Sequence, residues 1–580
     1  MSQPAAHHPF PRAICPGGLF SNGRFHLAVS ATGTGQAKRD WIALNRWAAD
    51  PVEDAHGFFI YLQDLESGET WSVGATPAGE TGSQYEATSR DGAFTISHEN
   101  RGIAATLEIT VSPSDDVEVR RLRLRDTRGR PRRIAVISYI EVALNHPAGD
   151  AAHPAFSKLF VQTETLPERC LLLARRRPRA NHETWSCMFH AIVGAREISW
   201  ETDRLRFLGR GRGPDRPVAL LSGAQLSGTV GNVLDPVLAL RADLRISAGQ
   251  TAEISFLQGA ADDRAAAMDV AQRLASAESI RALFAAAAAA ERALLERSSV
   301  SPGDSAVFQA LGVAILRGDR ALRAKPGGLH PDADIRATVA KLGIPDDRPL
   351  VLSTAGWSHP ITATILQARA HWAARGLHVN LAIVSDVPIG RPADLDDRVF
   401  LLARAGTPAG EIAALAATAH WVATDGVPDI VQPQCAPPPL SAPRAAPAPP
   451  KSDGPLEFWN GFGGFSSDGA EYVIRMPFRD GGSVLPPLPW INVVANEHCG
   501  FLISESGAGY TWCRNSQGNR LTPWGNDPVS DPHGEALYIR DEADGSFWSP
   551  TPGPAPAPCH YEARHGFGYS VISCEHRDLL

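Results

Sequence analysis

The sequence lacks a long apolar run, a secretory leader and an excess of basic charge. No uninterrupted apolar stretch approaches the roughly 18 residues that a membrane-spanning helix needs. Residues 1–18 lack the apolar core of a secretory signal peptide. The 63 acidic residues outnumber the 55 lysines and arginines, which gives a net charge of -8 and argues against a general nucleic-acid binder. We therefore expect a cytoplasmic protein without a membrane span.

The sequence also lacks paired cysteines. No two cysteines are spaced as Cys-x-x-Cys, so neither a zinc knuckle nor a thioredoxin motif is present. The cysteines are Cys15, Cys170, Cys187, Cys435, Cys499, Cys513, Cys559 and Cys574. Single, scattered cysteines are typical of free thiols in a reducing compartment. No metal site and no cofactor is predicted.

Glycine and proline, in contrast, are abundant, with 52 and 46 residues among 580. Without a collagen repeat, this composition predicts many turns, a proline-rich linker, or both. A chain of this length has room for roughly three to five domains.

Short segments separated by turn residues predict β-structure over residues 18–262. Residues 106–111 alternate between apolar and polar side chains, residues 133–144 are largely apolar, and residues 252–257 form another candidate strand. Many short strands with Gly, Pro, Asn and Asp between them predict a sandwich rather than a sheet of βαβ units.

The middle of the chain has a different composition. Residues 263–298 are rich in Ala, Leu, Glu and Arg and contain no Pro or Gly, which predicts one or two helices, with a further helix over 306–316. Residues 349–385 are predicted to form a strand, a helix and a strand, a βαβ-like unit. Because this unit has no glycine-rich phosphate loop, a nucleotide site is not supported.

Together these patterns predict a mainly β protein. Two β-sandwich domains are expected, joined by a helical and α/β middle region and a Pro-rich linker. The expected boundaries are a disordered N-terminus over 1–17, a first sandwich over 18–262, a middle region over 263–431, a Pro/Ala linker over 432–455 and an incomplete second sandwich over 456–580.

The two β-regions share an internal repeat. Residues 47–72 align with residues 524–549 at a constant offset (524 minus 47, or 477), and twelve of the 26 positions are identical. Upstream, SATGTG at 30–35 is similar to SESGAG at 504–509. A repeat this widely separated indicates one β-domain present twice rather than a solenoid.

The repeat predicts a hairpin in each copy, with a turn formed by an aspartate and a glycine. Trp71 and Trp548 occupy equivalent positions, and their rings are expected to fill the core; stacking against a sugar ring is the alternative. The equivalent acids of the preceding loops are Asp50, Asp54, Asp527 and Asp531. Such acids are more often turn caps than catalysts.

These segments carry a family resemblance. Residues 458–476 resemble the opening of the β-sandwich (supersandwich) domain of glycoside hydrolase family 94, formerly glycosyltransferase family 36, which holds the cellobiose and chitobiose phosphorylases. Residues 490–552 are more similar still to the corresponding part of cyclic β-1,2-glucan synthases. Stretches of the first half that resemble the preceding domain of those synthases lie at 20–35, 111–124, 153–164 and 226–237.

The resemblance implies a carbohydrate-active protein, with departures. Cyclic glucan synthases also have a membrane-embedded glycosyltransferase domain, and family 94 enzymes have an (α/α)6 barrel that supplies the general acid. Neither is found in this sequence. We therefore expect the carbohydrate-binding portion of such an enzyme, truncated and dependent on a missing barrel for glycosyl transfer. A non-catalytic glucan-binding or scaffold protein is the alternative.

No catalytic residue can be transferred from the family. Glycoside cleavage needs a carboxylic acid beside the leaving oxygen. Glu108, Glu118, Glu141 and Glu164 lie on strand-like segments. Nothing in the sequence indicates that they converge.

The candidate binding residues follow from the resemblance, which implies that sandwich loops reach the mouth of the active site and a dimer contact. The corresponding loop spans 519–531. Trp512 and Trp524 offer faces for stacking on sugars, and Arg520, Asn526 and Asp527 offer planar hydrogen-bonding groups. The expected partners are a β-glucan or other oligosaccharide, a separate chain carrying the barrel, and a second copy of this chain in a homodimer, with no nucleic acid.

A Gly/Arg run, GRGRG at 209–213, has two interpretations. Its backbone N–H groups and arginines are suited to binding an anion. A solvated turn is the favoured interpretation, because a lone run of this kind carries little specificity.

Overall fold

The computed structural model describes residues 13–577 apart from 51–53, 80–84, 182, 196, 222–224, 325–333, 388–391, 393–394, 434–453 and 480–481. The chain divides into two compact units. The first unit comprises Met1–Ala152, Ser157–Asp203 and Gly223–Pro437, and the second comprises His153–Phe156, Arg204–Ser222 and Pro438–Leu580.

Strands predominate in both units. The strands up to the end of the first unit are β1 Ala13–Ile14, β2 Gly17–Ser21, β3 Phe25–Ser30, β4 Gly35–Arg39, β5 Ile42–Asn45, β6 Phe58–Asp64, β7 Thr70–Ser72, β8 Tyr85–Arg90, β9 Ala93–Asn100, β10 Ile103–Val111, β11 Val117–Asp126, β12 Arg132–Asn145, β13 Val161–Leu166, β14 Leu171–Arg176, β15 Cys187–Val193, β16 Ser199–Asp203, β17 Pro236–Ile246, β18 Thr251–Ala261, β19 Leu350–Ser353, β20 Asn380–Ser385, β21 Val399–Ala403, β22 Trp421–Ala423 and β23 Asp429–Ile430. The later strands are β24 Gly463–Phe465, β25 Glu471–Met476, β26 Phe478–Arg479, β27 Gly482–Ser483, β28 Ile491–Ala495, β29 Cys499–Ser504, β30 Gly509–Cys513, β31 Ile539–Arg540, β32 Phe547–Trp548, β33 Tyr561–Gly566 and β34 Tyr569–Cys574.

The helices are concentrated in the middle of the chain. They are α1 Pro147–Ala152, α2 Pro154–Lys158, α3 Arg204–Leu208, α4 Arg264–Arg273, α5 Ala277–Ser298, α6 Pro302–Arg317, α7 Ile335–Lys341, α8 Pro360–Ala373 and α9 Ala409–Thr418. Within the ranges described, no helix combines the length and the apolar character that crossing a membrane requires.

The first unit contains a β-sandwich, as predicted. One sheet runs β13-β14-β15-β18-β11-β10-β9-β8, and the other runs β16-β17-β12-β5-β4-β3-β2, with β6 paired to β12 and β7. Strand β10 alternates buried and half-buried residues over most of its length, because successive side chains point to opposite faces. The inward side chains of both sheets, such as Phe94 and Phe256 from one and Phe25 and Ile134 from the other, form one core.

Helices cover the other face of the eight-stranded sheet. Ala267, Ala271 and Leu283 of α4 and α5 pack with Val119 and Phe189 of that sheet. Both helices begin at residue types that favour N-caps: the Asp263 side chain accepts a hydrogen bond from a backbone N–H of α4, and Ser276 forms a capping box with α5. The prediction of helices over 263–298 is therefore confirmed.

The predicted strand–helix–strand unit is also confirmed. Strands β19 and β20 are parallel and are connected through α8. They belong to a four-stranded parallel sheet, β21-β20-β19-β22. Trp372 of α8 and Trp421 of β22 are buried against each other, with ring centroids 6.5 Å apart.

The second unit is built on small antiparallel sheets. These are β24-β25-β33-β34 and β28-β29-β30, with the pairs β26-β27 and β31-β32. Its core includes Ile474, Met476, Trp548 and Tyr561. Segment 204–222 belongs to this unit, although it lies within the range of the predicted first sandwich.

The N-terminal prediction needs a correction. Residues 13–17 are not disordered, because Ala13–Ile14 pairs in parallel with Asp429–Ile430 and Ile14 buries all but 1% of its surface. Burial of that apolar side chain offsets the entropy cost of ordering the segment. Residues 1–12 and the Pro/Ala stretch 434–453 lie outside the described residues, so disorder and a linker stay predictions there.

Both repeated tryptophans pack inside the protein. Trp71 is 1% exposed and Trp548 is 5% exposed. Trp71 belongs to the sandwich core, and Trp548 lies edge-on to His576 with ring centroids 5.0 Å apart. Core packing is therefore confirmed over sugar stacking for these two rings.

Replacement of Trp548 by alanine should lower the free energy of unfolding by about 3–5 kcal/mol, because it leaves a large cavity in a small core. Thermal unfolding followed by circular dichroism measures the effect. Trp459→Ala is the matched control, because that tryptophan is in the same unit and 48% exposed. Unchanged stability of Trp548→Ala would contradict the packing role.

Candidate functional site

The candidate loop 519–531 folds back against strand β30 of the second unit. Cys513 N–H donates to the Asn519 carbonyl over 3.1 Å, and Leu521 N–H donates to the Thr511 carbonyl over 2.8 Å. The hydroxyls of Thr511 and Thr522 both donate to one carboxylate oxygen of Glu535, each over 2.6 Å. Backbone and side-chain hydrogen bonds thus fix the first half of the loop.

Four side chains of this region meet in one cluster. The rings of Tyr510 and Trp524 stack with centroids 4.7 Å apart and planes 13° apart, and Trp512 lies 5.2 Å from Tyr510. The Arg520 guanidinium carbon is 5.8 Å from the Tyr510 ring and 5.7 Å from the Trp524 ring. We call Tyr510, Trp512, Arg520 and Trp524 the Trp524 surface.

The structure therefore brings together three of the five residues predicted from sequence. Arg520 is exposed, and Trp512 and Trp524 are half-buried, so polar and aromatic groups both reach solvent. Tyr510 was not predicted, although it is the buried ring on which the others pack. Its position two residues before Trp512 on the same strand was the available signal, because i and i+2 share a face of a strand.

Asn526 and Asp527 lie beyond the cluster and have different roles. Asn526 is exposed and has a left-handed backbone, with φ of 46°. Both terminal nitrogens of Arg204 donate hydrogen bonds to the Asp527 carboxylate, one to each oxygen, over 2.7 and 2.8 Å. The pair is therefore bidentate. Its carboxylate also accepts the Val529 N–H and the Ser530 hydroxyl. Asp527 therefore anchors the second half of the loop.

A second arginine from segment 204–222 forms a buried ion-pair network. One terminal nitrogen of Arg210 lies 2.8 Å from Glu505 Oε1 and 3.0 Å from Asp531 Oδ2. The side chains of Arg210 and Glu505 are 8% and 0% exposed. The interpretation of GRGRG as a solvated turn is therefore wrong for Arg210, because two carboxylates more than 290 positions away hold it inside the unit.

Asp531 is also the acceptor for two hydroxyls. Ser504 and Ser506 donate to its Oδ2 over 2.9 and 2.7 Å, and its backbone is left-handed with φ of 49°. These serines belong to SESGAG, and together with Arg210 they surround one carboxylate oxygen. We call Arg210, Ser504, Ser506 and Asp531 the Asp531 node.

The first unit contains an equivalent arrangement. Asp54 has φ of 52°, and its Oδ2 accepts the hydroxyls of Ser30 and Thr32 over 2.9 and 2.5 Å. An arginine also approaches this oxygen, with Arg317 Nη2 3.5 Å away. The two aspartates are equivalent positions of the internal repeat, and each lies against the Ser-x-Ser/Thr-Gly turn of its own unit.

Glu505 distinguishes the two arrangements, because the equivalent position in SATGTG is Ala31. The Trp490 N–H donates to Glu505 Oε2 over 2.7 Å, while Arg210 binds Oε1. Burial raises the pKa of this carboxyl to about 7, with Arg210 acting in the opposite direction and the nearby Asp531 raising it further. Glu505 was not predicted, and only comparison of the two repeat copies could have pointed to it.

The four glutamates of the strand-like segments do not meet as a catalytic pair. Each contacts an arginine or a tyrosine instead: Glu108 with Arg121, Glu118 with Arg120, Glu141 with Tyr139 and Glu164 with Arg264. The charge of Glu118 is completely buried with that of Arg120. These contacts give the acids structural roles.

Comparison with known proteins agrees with the resemblance in sequence. The family model described as glycosyl hydrolase 94, supersandwich domain, matches residues 16–277 and 470–580. Cyclic beta-(1,2)-glucan synthase NdvB of Rhizobium meliloti (strain 1021) is 30% identical over 95% of this chain and 21% of its own length.

Two phosphorylases match shorter parts. N,N'-diacetylchitobiose phosphorylase of Vibrio furnissii is 32% identical over 20% of this chain and 14% of its own length. Solabiose phosphorylase of Paenibacillus borealis is 27% identical over 42% of this chain and 31% of its own length. This chain thus spans less than a third of each of these relatives.

The raised pKa of Glu505 predicts a specific pH dependence. The folded-state value of about 7 exceeds the ordinary 4.5, so the folded state retains the proton more tightly than the unfolded state does. The contribution of the protonated Glu505 to the free energy of unfolding is therefore complete below about pH 4.5. It is lost as the pH rises to about 7, by an amount on the order of 3 kcal/mol. Glu505→Gln should remove this loss.

Chemical denaturation of the wild type and of Glu505→Gln between pH 5 and 9 measures how the free energy of unfolding of each protein changes with pH. The wild type should lose stability relative to the variant over this range and remain parallel to it above pH 8. Parallel curves throughout would contradict the raised pKa.

Proposed function

Because this chain belongs to the glycosyl hydrolase 94 supersandwich family, we propose that it binds a β-glucan or a related oligosaccharide at the Trp524 surface. The stacking of Trp524 on Tyr510, with Arg520 beside both rings, is the observation that carries this proposal. The glucan-synthase relative favours a β-1,2-linked glucan as the ligand.

The chemistry of the Trp524 surface fits a sugar. A pyranose ring has an apolar face of C–H groups and a rim of hydroxyls, so it matches an aromatic face flanked by hydrogen-bonding groups. Trp512 and Trp524 offer the aromatic faces, and the exposed Arg520 offers planar donors. The exposed Asn526, which lies beyond the cluster, adds an amide donor and acceptor. Tyrosine and tryptophan suit this role because they combine a large rigid ring with a polar edge.

Preorganisation supports the same proposal. Trp524 is already stacked on Tyr510, and the Tyr510 hydroxyl donates to the Ser516 carbonyl over 3.2 Å. A ring held in this way loses little rotamer freedom when a ligand binds, which lowers the entropy cost of association.

Asp527 contributes to binding through the position of the loop. Its carboxylate oxygens are engaged by Arg204 and by Ser530. Direct contact with a sugar hydroxyl would compete with these charge-assisted bonds. The Arg204–Asp527 pair instead fixes the segment that follows Trp524 and Asn526.

We assign the chain to the binding portion of a glucan-synthesising or phosphorolytic enzyme. The arginine-paired glutamates of the first unit support a non-catalytic role, because a general acid must be free to give its proton to the glycosidic oxygen. The catalytic groups would come from a barrel domain, in the same polypeptide or in a partner chain. A homodimer contact through the sandwich loops is part of this proposal.

Trp524→Ala should weaken the binding of β-1,2-glucan oligosaccharides at least about tenfold, the loss of about 1.4 kcal/mol expected when a central aromatic contact is removed. Isothermal titration calorimetry with the intact chain gives the Kd. The control is Trp459→Ala, which removes a half-exposed tryptophan of the same unit outside the loop.

Two results would overturn the proposal. One is an unchanged Kd for Trp524→Ala. The other is the absence of glucan binding by the wild-type protein under conditions where its thermal unfolding shows it to be folded.

A further inference from the structure

A cavity of about 310 Å³ lies in the first unit, whereas the Trp524 surface belongs to the second. Its lining comes from three neighbouring strands, the loop before β17 and the start of α4. The lining residues are Gln162, Thr163, Glu164, Leu173, Arg175, Cys187, Gly231, Asn232 and Arg264. We call it the β13 pocket.

Strand register places the polar and apolar groups of the pocket on one sheet face. Gln162 pairs with Arg175 across β13 and β14, and Glu164 pairs with Leu173. Arg175 in turn pairs with Cys187 of β15. Paired residues of neighbouring antiparallel strands project from the same face, so these side chains surround one space.

The floor of the pocket is apolar. Leu173 and Cys187 are 2% and 3% exposed. Burial raises the pKa of the Cys187 thiol to about 11, so the group stays neutral at physiological pH. A C–H face of a ligand can therefore rest here without desolvating a charge.

The walls carry planar hydrogen-bonding groups. Gln162 Nε2 donates to Asn232 Oδ1 over 2.9 Å, and Arg264 forms a bidentate pair with Glu164, with Nε 3.0 Å from Oε2. Both groups remain partly exposed, with Arg264 and Glu164 at 42% and 38%. Arg175 is exposed and lies within electrostatic reach of Glu164.

Hydrogen bonds to strand β13 hold the loop that contributes Gly231 and Asn232 to the pocket. Thr163 and Gly231 exchange two backbone hydrogen bonds of 3.0 Å, and the Thr163 hydroxyl lies 2.7 Å from that of Thr202. Gly231 has φ of 103°, a conformation that favours glycine. Asn232 is therefore presented at a fixed position beside Gln162, although 70 positions separate them.

We propose that the β13 pocket is a second oligosaccharide-binding site, in which polar side chains of the wall form hydrogen bonds with the hydroxyls of a sugar. The amides of Gln162 and Asn232 and the exposed guanidinium of Arg175 can each offer two adjacent hydrogen-bonding atoms, which suits the neighbouring hydroxyls of a sugar ring. An apolar floor with a few fixed polar groups is the usual composition of a small-molecule site. The proposal rests on the pocket alone and survives failure of the Trp524 surface.

Hydrogen–deuterium exchange on the intact protein localises the ligand. Addition of β-1,2-glucan oligosaccharides should protect peptides that cover 161–166 and 228–235, in the wild type and equally in Trp524→Ala. The absence of protection in these peptides would overturn the proposal. Protection by inorganic phosphate but not by glucan would also overturn it, because it would make the pocket an anion site around Arg175.

A double variant tests the named side chains. In the Trp524→Ala background, Gln162→Ala/Asn232→Ala should weaken the remaining glucan binding roughly tenfold, the loss expected for two neutral hydrogen-bonding groups. Gln250→Ala, which removes an exposed amide elsewhere in the first unit, should leave it unchanged. Equal binding by the double variant and the control would contradict a role for the amides.

Discussion

The ion pairs between segment 204–222 and the rest of the second unit are the interactions on which the candidate site depends. Arg204 holds Asp527, and Arg210 holds Glu505 and Asp531. Removing one partner of a buried pair leaves an uncompensated charge, which costs about 3–5 kcal/mol. Two arginines thus hold Asp527 and Asp531 in the second half of loop 519–531, while Trp524 in the first half packs on Tyr510. Sugar binding at the Trp524 surface requires both halves to be held in place.

The Asp531 node and its counterpart around Asp54 show which part of this arrangement is common to both units. In each, a left-handed aspartate accepts two hydroxyls from a Ser-x-Ser/Thr-Gly turn, and an arginine approaches the same oxygen. The aspartate and its two hydroxyl donors are equivalent positions of the repeat, whereas the two arginines come from segments outside it. The copies differ where Ala31 is replaced by Glu505, so the titratable group is specific to the unit that carries the Trp524 surface.

Local pattern was sufficient to predict much of the fold. The helices after 263, the strand–helix–strand unit and the long strand β12 follow from periodicity and propensity, which act over a few residues. Trp512, Arg520 and Trp524 were found because they lie within one short, contiguous segment of the sequence. The roles of Arg204 and Arg210 were not found, because their partners lie about 300 positions away in the sequence. No local pattern distinguishes a buried arginine from a solvated one. Residues 13–17 were mispredicted for the same reason: the partner strand of Ile14 begins at Asp429.

Intermolecular nuclear Overhauser effects between a bound β-1,2-glucan oligosaccharide and the indole of Trp524 show whether the sugar stacks at this surface. We expect contacts from sugar ring protons to that indole in the wild-type protein, weakened in Arg204→Met because the loop loses its anchor. Glucan that binds without any contact to Trp524, or contacts that are unchanged in Arg204→Met, would contradict this expectation.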